Sequence, residues 1–211
     1  MQTMVRIKPP VLALQNLWQT LTLTFFIGVV VGGLTLLGQG ILPGSFSQIA
    51  NSGAVWVVPA FFLASLTTSN TLAINAGIAT LFGEVLGYYG FASFKYGLPD
   101  SYSFVALWLI IGLVFGPVFA IAGHWWRGED AGHRNIAVAL LGAVFIAEGI
   151  YLIAIVQYPI EGIGGIVIGL LIPLVMSRSN TERLYALLAI LPAILLGVVG
   201  YLVISLISTR L

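Results

Sequence analysis

Seven apolar runs, each about as long as a bilayer is thick, fill the 211-residue chain. A spanning helix needs about 20 predominantly apolar residues at about 1.5 Å of rise each. In lipid every backbone N–H and C=O must find its partner within the protein, so such runs fold as helices. The runs predict spans over 17–38, 53–69, 71–93, 102–126, 134–156, 160–177 and 183–208. The breaks carry turn or polar chemistry, as at Thr67–Asn70, Tyr96–Asp100, Arg127–Asp130, Gln157–Pro159 and Arg178–Thr181. The expected fold is an all-α, polytopic helical membrane protein: one transmembrane domain over 1–211, no soluble domain, TM1 followed by three helical hairpins.

Composition agrees and removes several function classes. Charged residues are 7% of the chain and hydrophobic residues 59%. A soluble domain needs about a quarter of its residues charged, so lipid has to be the solvent here. A net charge of +1 supplies no basic stripe for nucleic acid. The absence of cysteine removes disulfides and thiolate metal sites, and His124 and His133 alone make a protein-only zinc site improbable. No metal and no cofactor is expected. Arg6 and Lys8 precede the first run, as in a signal peptide, but Leu17 to Leu37 is too long for a signal core and no A-x-A-like site follows closely. The run reads as a retained helix.

Orientation follows from the cationic residues. With the N-terminus inside, Arg6, Lys8, Arg127, Arg134, Arg178 and Arg183 lie inside, and only Lys95 and Arg210 outside. The N-terminus is therefore expected in the cytoplasm and the C-terminus outside. Trp18, Trp125, Trp126 and Tyr102 fall at span ends, where amphipathic rings favour the interface. Glu129, Asp130 and Arg134 predict a local ion pair in an inner turn.

The last six spans show a weak likeness between Ala60–Tyr89, Gly116–Tyr151 and Gly169–Tyr201. Small residues recur four apart at Gly28/Gly32, Gly83/Gly87, Gly112/Gly116 and Gly165/Gly169. Such pairs share a helix face and let another backbone approach. They serve packing within the monomer, or a homo-oligomer or partner-docking face; TM1 stands outside the hairpin pattern and is the foremost docking candidate.

Chemistry points to two acids, Glu84 and Glu148. An ionisable side chain near a helix centre costs about 2.5 kcal/mol or more on insertion, so each is a candidate functional residue. Each lies about 14 residues into its predicted span, roughly 21 Å of rise, at similar depth in the outer half. Tyr88 follows Glu84 by one turn, Tyr151 follows Glu148 by three residues, and Asn75 extends the stripe below Glu84. Three readings stay open. The acids line an outward-open cavity that binds a polar or cationic ligand or carries a proton. Or they are protonated and tie helices together as hydrogen-bond donors. Or one snorkels to the surface. The uncharged loop Gly38–Ser52 reads as a lid or a plain connector, with Ser45 and Gln48 fitting a capping box and Gly53 a helix stop. His124 reads as a proton sensor, a haem ligand or an interfacial residue.

No span contains lysine for a Schiff base, and H-E-x-x-H, G-x-S-x-G and Walker A motifs are absent. The chain has two aspartates in total, too few for a prenyl-transfer site, and no arginine ladder for voltage sensing. No catalytic set is recognised, so an enzyme is not expected.

The segments Asn51–Trp56, Gly87–Tyr89, Gly116–Phe119, Gly123–Trp126 and Ala147–Glu148 resemble a bacterial family of small multi-pass membrane proteins of unknown function, over most of the chain from Asn51 onward. A looser similarity is to the substrate-capturing subunits of energy-coupling-factor vitamin importers, which dock through small residues on TM1 and bind ligand near the outer face. Together these imply a bacterial inner-membrane protein. The expected function is transport or membrane capture of a small solute. Glu84, Glu148, Tyr88, Tyr151 and Asn75 are its candidate ligand-binding residues. The alternative is a non-catalytic accessory subunit of a larger membrane complex.

Overall fold

The computed structural model describes residues 13–97 and 102–210, with the side chain of Ser45 left out. Arg6, Lys8 and Leu98–Asp100 therefore lie outside the described residues, as does the capping role expected of Ser45. The helices are α1 (Leu17–Ile41), α2 (Ser47–Ala50), α3 (Gly53–Ala64), α4 (Asn70–Tyr96), α5 (Tyr102–Arg127), α6 (Ala131–Tyr151), α7 (Pro159–Met176) and α8 (Asn180–Ser208). A π-helical turn, Leu152–Val156, prolongs α6. Among the described residues, seven helical segments are long and apolar enough to cross a membrane, and the β structure is a single bridge between Leu14 and Thr67. The chain is an all-α membrane-spanning protein.

The second segment, Ser47–Ala64, is broken between Ala50 and Gly53. Its continuous part, α3, has 12 residues, which is about 18 Å against a hydrocarbon core of about 30 Å. The span expected over 53–69 thus stops at Ala64. There the hydroxyls of Ser65 and Thr67 donate to the carbonyls of Phe62 and Ala64, and Leu14 N–H donates to Leu66 C=O. Gly53, expected as a stop, is the first residue of α3, because Ser52 caps it by accepting from the Val55 N–H.

Close approaches at glycine fix the helix directions. A Cβ on Gly28 would meet the Thr80 carbonyl at 2.2 Å, and one on Gly32 the Glu84 carbonyl at 2.0 Å. Gly83 and Gly87 likewise lie against the carbonyls of Phe25 and Val29. Residue numbers rise together, so α1 and α4 are parallel, backbone against backbone. Gly77 of α4 meets Gly116 of α5, an antiparallel pair. On α7, Gly162 and Gly169 meet Gly149 and Gly142 of α6 in antiparallel register. Gly197 of α8 meets Ala147 of α6, a parallel pair with Gly142 beside Ile190.

All four predicted glycine pairs are thus engaged in helix–helix packing inside one chain. On TM1, the foremost docking candidate, the Gly28/Gly32 face is filled by α4. The third hairpin also differs from expectation, since α7 and α8 touch each other little and both pack on α6.

At the end where α5 meets α6 and α7 meets α8, Arg134 pairs with Glu182 of α8 at 2.6 Å and donates to the carbonyls of Gly128 and Glu129. The expected local pair with Glu129 and Asp130 is replaced by this bond between two turns. Asp130 instead caps α6, accepting the His133 N–H at 2.7 Å, which holds its carboxyl below the usual range. His124 Nδ1 lies 3.1 Å from the Thr67 carbonyl and so ties α5 to the α3–α4 turn.

The glycine register predicts opposite outcomes for neighbours on α1. Gly32→Leu should lower stability by ~1–3 kcal/mol or more, because a backbone carbonyl cannot yield as a side chain can. Gly33→Leu, where a Cβ meets nothing within 4 Å, should be silent. Thermal unfolding of the two variants in detergent checks this; equal losses would refute the α1–α4 packing.

Candidate functional site

A helix leaves its first four N–H groups unpaired, and inside a membrane no water is there to take them. The start of α3 is such a place. Trp56, in its first turn, packs on Val85 and Tyr88 of α4, and α4 runs on for two more turns to Tyr96. Gly53 lies three residues nearer that end than Trp56, so helix α3 begins about 8 Å short of its neighbour's end. All four groups are nonetheless satisfied. The N–H of Gly53 donates to Glu148 Oε1 at 2.9 Å and that of Ala54 to Oε2 at 3.2 Å. The N–H of Val55 donates to Ser52 Oγ, and that of Ser52 itself donates to the Ile49 carbonyl.

Glu148 comes from α6, 17 residues past its first residue, Ala131. It also accepts from the hydroxyls of Ser52 and Tyr201. A carboxylate offers about four lone-pair sites. Four donors from α3, its cap and α8 fill them. The positive end of the α3 dipole faces the same oxygens, which favours an anion there. Gly53 permits the arrangement: a Cβ on it would stand 3.0 Å from the Tyr201 hydroxyl oxygen. Tyr151 stacks on Tyr201 with ring centroids 5.6 Å apart.

Beside this cluster lies a cavity of about 510 Å³, lined by α3, α4, α5, α6 and α8 and by Gln48 and Asn51 of the α2 segment. Glu148, Tyr151 and Tyr201 form part of its wall. Trp56 and Trp108, with rings 6.0 Å apart, form another part. The indole N–H of Trp56 is buried and has no hydrogen-bond partner among the described residues. Most of the remaining lining is aliphatic or phenylalanine, from Phe104 to Phe119 on α5 and from Leu140 to Val144 on α6. The volume is that of an ordinary small-molecule site, about 300–1,000 Å³.

The structure separates the two glutamates that the sequence paired. Glu84 is fully buried and does not line the cavity. It sits on α4 between the face that meets α1 at Thr80, Gly83 and Gly87 and the face that carries Leu81 and Val85 toward α3. Both its carboxylate oxygens lack a hydrogen-bond partner among the described residues. Tyr88 packs against the Trp56 cluster outside the cavity wall, and Asn75 donates to the Thr71 carbonyl at 2.8 Å. One shared site holding Glu84, Glu148, Tyr88, Tyr151 and Asn75 is therefore not formed; of these, Glu148 and Tyr151 meet at the cavity.

Sequence reasoning missed Ser52, Trp56 and Tyr201 as parts of the site. The signal for Ser52 was available, a serine three residues before Val55 at the start of an apolar run. Glu161 was also passed over. It lies in the first turn of α7, 4% exposed, where a carboxylate suits the helix N-terminus.

The model of a family of unknown function, DUF6518, matches residues 12–207. The chain belongs to that family. No curated protein and no solved structure matches it. Family membership agrees with the resemblance to an uncharacterised family; the looser similarity to vitamin-importer subunits gains no support.

The two acids should respond in opposite directions. Glu148→Ala strands the Gly53 and Ala54 N–H groups and should cost ~2–3 kcal/mol of stability. Glu84→Met removes a carboxylate that has no partner and should raise stability by ~1–3 kcal/mol. Denaturant titration in mixed micelles measures both; a loss on Glu84→Met would show that a partner binds that carboxylate.

Proposed function

We propose that this member of a family of unknown function captures or transports a small molecule at the membrane, held in the cavity walled by α3, α5, α6 and α8. One observation carries the reading. A cavity of about 510 Å³ is bounded by a place where a span is broken and its free backbone groups are tied by a side chain from another helix. Broken spans of this kind are tolerated where backbone is buried in protein or lines a cavity.

Glu148 enters this reading in a changed role. With four donors already on it, the carboxylate positions α3 and Tyr201 and has no free lone pair with which to recruit a cation. Selection then rests on the shape of the cavity and on its apolar lining. In the expected orientation, with the N-terminus in the cytoplasm, the α2 segment borders the cavity on the outer side, in the loop that the sequence reads as a lid or a plain connector. Glu84 belongs to the α1–α4 packing and not to binding. The alternative, a subunit that docks through the α1 glycines, has less behind it, since Gly28 and Gly32 are occupied by α4.

Gly200 gives a clean test. It lines the cavity, and a Cβ there meets nothing within 4 Å. Gly200→Phe should fill the space without disturbing the helix, whose propensity it improves. Native mass spectrometry of the detergent-purified protein from its own host should show a bound small molecule in the wild type and none in Gly200→Phe. Identical spectra would sink the assignment of the cavity.

A further inference from the structure

We infer that the cavity takes a single-chain amphiphile with an uncharged, hydrogen-bonding head; this rests on the cavity being the binding site. The lining is segregated along the helices. Ser205 and Ser208 in the last turns of α8, with Gln48 and Asn51 of the α2 segment, bring hydroxyl and carboxamide groups to one end. Leu140 and Ala143 of α6, Phe119 of α5 and Ala193 of α8 make the other end wholly apolar. Ala193 and Ser208 are 15 residues apart on α8, which is about 22 Å along the axis. Spread over that length, a volume of about 510 Å³ is a slot. A slot with one polar end fits one long chain carrying one polar head.

Charge narrows the head. Among the described residues no lysine or arginine lines the slot, so an anionic head meets no cation there. The single acid in the wall, Glu148, has its lone pairs taken by Ser52, Gly53, Ala54 and Tyr201. A cationic head therefore finds no open counter-charge. What the wall does offer is hydroxyl and carboxamide groups at its polar end, from Ser205, Ser208, Gln48 and Asn51. These pair with neutral hydroxyls on the occupant. A monoacylglycerol has this layout: a hydroxyl-bearing head on one chain.

The test uses the purified full chain in detergent with three probes of the same chain length: monoolein, oleate and sphingosine. Native mass spectrometry should show one monoolein retained per protein and neither oleate nor sphingosine competing with it. Asn51→Leu, which removes a carboxamide from the polar end, should bind monoolein about fivefold more weakly. Gly200→Phe should not bind it. Oleate or sphingosine retained as well as monoolein, and lost in Gly200→Phe, would overturn the head-group inference while leaving the cavity as a site. Unchanged monoolein affinity in Asn51→Leu would overturn the contact at the polar end. Monoolein retained equally by Gly200→Phe, or no probe retained by any form, would overturn the inference and the cavity assignment together.

Discussion

A helix that starts inside a membrane exposes four backbone donors where no water can reach them, and the structure depends on how these are paired. One is taken locally by the Ser52 hydroxyl, and the N–H of Ser52 itself donates to the Ile49 carbonyl. The other two cross to Glu148, which arrives from a helix 95 residues away in sequence. An unsatisfied N–H in hydrocarbon costs several kcal/mol, so without that carboxylate the break between Ala50 and Gly53 would not hold. The broken span, the tie to α6 and the tie of Tyr201 on α8 are consequences of one arrangement. The acid has to reach the cap, so its depth on α6 is set by where α3 begins.

The rest of the bundle is held by a different means. Lipid tails are as apolar as leucine, so helices in a bilayer gain little from hydrophobicity and associate by close packing. Here α1 lies on α4 with Gly28 and Gly32 against carbonyls, while Gly83 and Gly87 return the contact from the other side. The α6–α7 pair repeats the device with Gly142, Gly149, Gly162 and Gly169. These seams leave no slack. Helix α8, in contrast, packs on α6 through Ala143, Ala147 and Gly197 and leaves most of its surface open. The main cavity opens on the loosely packed side, beside α8.

Much of this was legible before any coordinates. Runs of apolar residues report span number directly, because bilayer thickness fixes helix length. Glycines four apart report close packing, since only a missing Cβ allows it, although they do not say which helix approaches. The acids were legible as exceptional but not as different from one another. Both Glu84 and Glu148 are single carboxylates in apolar helices followed by a tyrosine, and local sequence holds nothing further to separate them. What separates them is tertiary: the α3 N-terminus stands opposite one and the α1–α4 seam encloses the other. The short span was illegible for a related reason. The run from Gly53 through Ser69 is apolar enough to cross, and only the hydroxyls of Ser65 and Thr67 bonding back to the chain end it early. The segments Asn51–Trp56 and Ala147–Glu148, which carried the resemblance to an uncharacterised family, are the two sides of the Glu148 tie.

The tie also bears on what the cavity can select. A buried carboxylate with free lone pairs would demand a cation or a hydroxyl from any occupant, and the site would then be specific through charge. Glu148 makes no such demand, because its four acceptor positions are filled from α3, its cap and α8. Its contribution is to hold three walls of the slot in register, so that shape is fixed before an occupant arrives. Binding to a preformed wall spares the cost of ordering it, which is where affinity for an apolar chain is usually lost. The polar discrimination left to the site then falls to the groups at the α2 end.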